Sequence, residues 1–202
     1  MPAQKNISLQ SYNSFHIDVK AAEFVSIATV NELEELLRQK KALLILGGGS
    51  NILFSKDVDG LVLKIDIRGI DEVKEDNTHI YVRAGAGENW HEFVNFTMKR
   101  NWGGLENLSL IPGNVGASPM QNIGAYGVEL KEVFYELEAF SIKEQKVYTF
   151  SVNDCGFGYR DSVFKKKHKG EFIILDVVFR FYKKPKKFHC LTGDQCTFRS
   201  KR

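Results

Sequence analysis

The sequence predicts an α+β chain folded as two lobes with a basic tail behind them. Three observations carry this. Short apolar, strand-like runs recur along the chain. Two amphipathic segments stand among them, each opening on a capping-box signature. Near residue 66 a compact βαββ pattern gives way to a longer α+β pattern with a hairpin. The expected divisions are lobe 1 at 1–66, lobe 2 at 67–182 and a basic tail at 183–202.

In lobe 1, Ala22–Ile27 reads as a strand. Thr29 then caps a helix, with Glu32 at the reciprocal position and Val30, Leu33, Leu36 and Leu37 on one face. Ala42–Leu46 is wholly apolar and reads as a buried strand that ends at three glycines. Ile52–Phe54 and Leu61–Ile65 read as short strands around a turn at Asp57-Val58-Asp59-Gly60.

In lobe 2, Ile80–Ala84 is a strand, and Asn89 caps a helix with Glu92 in the capping-box position. Trp90, Phe93, Val94 and Thr97 form its inner face, which makes Trp90 a core residue and not a cofactor stack. Glu136–Phe140 and Lys146–Phe150 form a hairpin around Lys143-Glu144-Gln145, and Glu171–Phe181 is a long, mostly apolar strand.

Composition narrows the function. The 202 residues are 43% hydrophobic and 26% charged, which suits a packed core and excludes disorder as the main state. No apolar run approaches the roughly 20 residues that span a bilayer. Met1–Gln10 is polar, with no signal-like apolar stretch, so a cytoplasmic protein is expected. The net charge of +3 is uneven: Lys183, Lys184, Lys186, Lys187, Arg199, Lys201 and Arg202 against Asp194 give the tail +6 and leave residues 1–182 at −3. A mildly acidic body is not a nucleic-acid-binding face. Cys155, Cys190 and Cys196 make neither a disulfide framework nor a zinc spacing and read as plain thiols, and no metal site is expected.

Three segments carry chemistry. Gly47-Gly48-Gly49-Ser50-Asn51 follows an apolar strand; its backbone N–H groups can converge on an anion, and Ser50 and Asn51 add donors. It lacks the Lys-Ser/Thr of a Walker loop. Ile52 stands where the dinucleotide fingerprint needs glycine. A tight structural turn explains it about equally well. The second segment, Leu110 to Gly127, is more specific. It holds four glycines and two prolines in a long loop inside a compact domain. Its small residues Gly113, Gly116, Ala117, Gly124 and Gly127 leave room for a flat ligand, with Pro112 and Tyr126 in the same loop; backbone N–H groups, Ser118, Gln121 and Asn122 can bond phosphate, ribose or ring atoms. In the third, Gly156 to Phe164, Arg160 can grip a carboxylate bidentately. A salt bridge to Asp161, or a plain surface arginine, is the simpler reading of Arg160 by sequence alone.

Together with Ser14-Phe15-His16-Ile17-Asp18, Ala84 to His91 and Gly104 to Leu108, these segments resemble the UDP-N-acetylenolpyruvoylglucosamine reductases, the MurB family of type I. The resemblance runs from about Ser11 to Phe181. His16 departs from it, where the family often has glycine. The resemblance implies an FAD-binding fold of the vanillyl-alcohol-oxidase (PCMH) type, with FAD held by Gly47–Asn51 and the Pro112–Gly127 loop. It implies NADPH as reductant and UDP-N-acetylglucosamine enolpyruvate as substrate, reduced to UDP-N-acetylmuramate for peptidoglycan by a monomeric enzyme. Arg160 matches the family's cation beside the developing enolate.

The family's proton-donating serine and catalytic glutamate lie in later segments with no counterpart in this sequence. The expectation is therefore a chain without the C-terminal substrate-binding domain, with residues after about Lys187 outside the family pattern. Such a chain would at most bind FAD, with little or no turnover. An oxidase with histidine-linked flavin is disfavoured, since Gly47–Asn51 holds no histidine.

Overall fold

The computed structural model describes residues 3–39 and 42–183. Four strands make the first sheet: β1 (Gln4–Ser8), β2 (Lys20–Ile27), β3 (Ala42–Leu46) and β4 (Val58–Ile65), in the order β1-β2-β4-β3. β1 runs antiparallel to β2, while β4 lies parallel to both β2 and β3. Helix α1 (Val30–Gln39) links β2 to β3. It starts as its sequence predicts: Glu32 N–H donates to Thr29 Oγ1 at 3.3 Å, and Thr29 N–H donates to Glu32 Oε2 at 3.1 Å. Leu33 and Leu36 are buried, with Val30 and Leu37 packed on the same core.

Three expectations for this sheet need correction. Ile52–Phe54 is not a strand: Leu53 is 70% exposed, while Phe54 turns in to a small core with Leu9, Val19 and Leu46. Asp57–Gly60 is not a turn, because parallel pairing with β2 begins at Val58 opposite Ala21, and the Asp57 carboxylate accepts the Lys20 N–H at 2.8 Å. Ala42–Leu46 is an edge strand, with Ile45 exposed.

The second sheet is antiparallel throughout. It opens with β5 (Ile70–Glu75) and β6 (His79–Gly85); after helix α2 (Trp90–Lys99) comes a separate two-strand ribbon of β7 (Gly124–Ala125) and β8 (Val128–Glu129), which is not part of it. β9 (Phe134–Ser141) and β10 (Lys146–Ser151) follow, then the short helix α3 (Val152–Cys155) and β11 (Phe172–Tyr182). The five-stranded order is β10-β9-β11-β6-β5. The hairpin β9–β10 and the long β11 match the sequence pattern. β1 and β5 escape it because both are largely exposed and polar.

Asn89 caps α2 by accepting the Glu92 N–H at 3.1 Å. Trp90, Phe93, Val94 and Thr97 are all buried, with the Phe93 ring 4.9 Å from Phe179 on β11. One apolar core runs from Val25 and Leu33 through Val82 and Trp90 to Phe179, so both sheets share it. No helix among the described residues is long and apolar enough to cross a membrane. Cys155 is buried, and desolvation pushes its thiol up to about 12. Cys190, Cys196 and the tail beyond Lys183 lie outside the described residues.

Candidate functional site

The two glycine-rich segments meet. A β-carbon built on Gly48 would stand 2.8 Å from the Gly113 Cα and 2.8 Å from Asn114 Oδ1, and Ser50 Oγ donates to the Pro112 carbonyl at 3.2 Å. Only glycine permits that approach. Behind the first loop, Gly49 (φ +66) presses on the Tyr12 carbonyl, and its own carbonyl accepts the Ser14 N–H at 3.2 Å. His16 close by has φ +52, the left-handed region that favours glycine, which accounts for glycine at this place in the resembling family. Gly47 faces the other way: nothing lies within 4 Å of a β-carbon there. Asn51 is exposed.

The second segment is a chain of short turns fixed by hydrogen bonds. Its start is stitched to the first residue of α2 and to the turn before it by Trp90 N–H to Gly113 O (3.0 Å), Val115 N–H to Glu88 O (2.9 Å) and Gly116 N–H to Ala86 O (3.0 Å). Two 3-10 turns follow, Val115–Ala117 and Pro119–Gln121, then the β7–β8 ribbon. Ser118 and Asn122 are buried, and their side chains bond within the protein. Ser118 Oγ donates to Val115 O, while Asn122 (φ +43) donates to Gly158 O and accepts the Lys131 N–H. Gln121 is half-buried, Ala117 and Pro112 are exposed, and Gly127 (φ +79) looks into open space.

Asn122 therefore ties the second segment to the third. Beside it opens a cleft of about 630 Å³ lined by Asn122, Gly124, Tyr126, Gly127, Tyr159 and Arg160, with Glu129 and Lys131 on its wall. Arg160 is exposed and takes φ +52. Asp161 pairs with Lys166 and not with Arg160, so the simple ion-pair reading of that arginine does not hold. Glu129 is held below the usual carboxylate range by Lys131 first, with Asn122 and Arg160 adding to it. Lys131, Glu129 and Tyr159 carry no sequence signal of their own; the short ribbon and the 3-10 turn after it, Leu130–Glu132, which bring the first two into the cleft, leave no periodic pattern.

The model of the FAD binding domain family matches residues 21–144, a span that holds both glycine loops. The chain belongs to this family. As an FAD-binding domain it is 47% identical over 196 residues to the UDP-N-acetylenolpyruvoylglucosamine reductase of Flavobacterium johnsoniae, covering 96% of this chain and 58% of that protein. Among solved structures, the UDP-N-acetylenolpyruvylglucosamine reductase (MurB) of Thermus caldophilus matches with TM-score 0.75 and 22% identity, over 92% of this chain and 64% of that one. p-Cresol methylhydroxylase matches with TM-score 0.59 and 14% identity, over 83% and 36%. These two likenesses show the fold: the two-lobed FAD-binding type that the motifs imply.

The FAD-binding domain has the donors and the space that such a group needs. Gly47 and Gly127 expose backbone with no side chain in front, and Ser50, Asn51 and Gln121 stand along the loops as polar groups. Among the described residues no cluster of His, Cys, Asp or Glu is arranged to hold a metal.

Proposed function

We propose that this chain forms the FAD-binding part of an NADPH-dependent UDP-N-acetylenolpyruvoylglucosamine reductase of peptidoglycan synthesis, acting as a monomer in the cytoplasm. The observation that carries the reading is the clamp between Gly48 and Gly113, which joins two loops suited to a diphosphate beside a cleft that holds Arg160. Gly47, Gly48, Gly49, Ser50 and Asn51 take the diphosphate. Pro112, Gly113, Gly116, Ala117, Ser118, Gln121, Asn122, Gly124, Tyr126 and Gly127 shape the floor beneath the ring system. Lobes at 1–66 and 67–182 fit this division of labour.

Bound there, FAD supplies the two-electron chemistry that links NADPH to the enolpyruvyl double bond of UDP-N-acetylglucosamine enolpyruvate. Arg160 holds the substrate carboxylate and neutralises the charge that develops on its neighbouring carbon. Its planar fork suits a carboxylate, and its exposure leaves it free to receive one.

The chain spans 58% of the length of the reductase it matches, so cofactor binding and turnover are separate questions, and an FAD binder without turnover is the second reading. The test is to reconstitute the purified chain with FAD, measure retained flavin, then follow NADPH consumption with the enolpyruvyl substrate. Retained FAD with substrate-dependent consumption supports the reductase, and retained FAD alone supports the second reading. A chain that retains no flavin would sink both.

A further inference from the structure

His91, the second residue of α2, sits beneath the turn from which the second glycine loop departs. Its Nδ1 lies 3.3 Å from the Leu110 backbone nitrogen and 3.1 Å from Ser109 Oγ, and its Nε2 lies 3.1 Å from Asn95 Nδ2, whose place the amide oxygen takes when the amide is turned over. A backbone N–H can only donate, so Nδ1 must be the unprotonated acceptor. The ring proton is then on Nε2, and Asn95 must turn its amide oxygen toward it. The hydrogen bonds thus select one neutral tautomer of His91.

What that tautomer holds is a costly conformation. Leu110 has φ +62, in the left-handed region where a β-carbon is disfavoured, and its side chain is 76% exposed, so little packing fixes it. The residues on either side are held by Trp90: its Nε1 donates to Leu108 O at 2.7 Å and its backbone N–H to Gly113 O at 3.0 Å. Ser109 and Leu110 are the stretch that Trp90 leaves to its neighbour.

We infer that His91 is a positioning residue for the cofactor loop: as a neutral acceptor it locks the left-handed Leu110 turn that delivers Pro112 and Gly113 onto Gly48 and Ser50. Its effect on cofactor affinity rests on the FAD-binding reading above; its geometry does not.

The test has two arms on the full chain. Without cofactor, nitrogen-15 NMR of the His91 ring should show Nδ1 bare and Nε2 protonated, and the Leu110 amide should exchange slowly. With FAD, flavin-fluorescence quenching should give about tenfold weaker binding for His91→Phe. Binding should stay within about threefold of wild type for His91→Asn, which keeps an acceptor near Nδ1, and for His91→Phe combined with Leu110→Gly, which removes the strain. Thermal melts of the same variants without FAD separate a loss of general stability from a loss of binding. A protonated Nδ1 in the cofactor-free chain, unchanged binding by His91→Phe, or failure of the double variant to recover would overturn the inference. If the wild-type chain binds no FAD, the functional reading fails, while the tautomer and exchange data still decide the role of His91.

Discussion

Gly48 and Gly113 touch backbone to backbone, and Ser50 beside them reaches the Pro112 carbonyl. This contact turns two loops far apart in the chain into one cradle, and it separates two kinds of glycine. At Gly48 an added methyl has nowhere to go; at Gly47 it meets only open space.

Gly48→Ala is therefore expected to cost about 1–3 kcal/mol by forcing the loops apart, and to lose FAD as well. Gly47→Ala should leave the thermal midpoint of the cofactor-free protein unchanged while weakening FAD, because its methyl projects into the open space that the proposed function assigns to the diphosphate. Paired thermal melts and flavin titrations check this. Equal destabilisation by both substitutions would contradict it.

On the proposed reading, Arg160 bears on chemistry and little on folding. Arg160→Ala should change stability by less than about 0.5 kcal/mol, since the residue is exposed and Asp161 is paired elsewhere. Substrate reduction in an active reductase should fall by about 10²–10³-fold, and Arg160→Lys should recover little of it because the bidentate fork is gone. Stopped-flow measurement of substrate-dependent oxidation of the reduced protein reads the effect.

Asn122 is fully buried and takes a left-handed conformation that asparagine tolerates better than most residues. Asn122→Ala leaves the Lys131 N–H without its partner and the Gly158 carbonyl with only the Asp161 N–H at 3.3 Å, at about 1–3 kcal/mol. The Tyr159–Arg160 side of the cleft should then exchange its amides faster than the α2 side. Urea unfolding and hydrogen exchange would reveal both effects.

Asp176 on β11 is mostly buried beside Arg83, with Glu138 and Glu136 near, and its carboxyl is raised to about 6 from an ordinary 3.8. Burial is the main cause; Arg83 opposes it, and the two glutamates add to it. The folded-state value lies above the unfolded one. The stabilising contribution is thus fully present below about 3.8 and is lost as the pH rises through about 6. Asp176→Asn should accordingly raise stability over wild type by about 1–3 kcal/mol at pH near 7, and the advantage should vanish near pH 4. Melting curves across that range measure it.

The local pattern made much of the fold legible. Thr29 with Glu32, and Asn89 ahead of the Trp90–Thr97 face, marked both long helices, because capping and amphipathic periodicity are short-range effects. The polar edge strands β1 and β5 were invisible. Their register comes from neighbours across the sheet and not from an apolar alternation of their own.

The two glycine loops and the arginine motif were likewise legible as segments, since the backbone freedom and donor groups they need are properties of the residues themselves. Tertiary structure alone decided that Gly48 rests on Gly113, that Asn122 bridges to Gly158, that Asp161 turns to Lys166 and away from Arg160, and that His91 must be an acceptor. Each is a contact between groups far apart in sequence or a choice among several available partners. Only the packed chain, by fixing distances and excluding water, makes that choice.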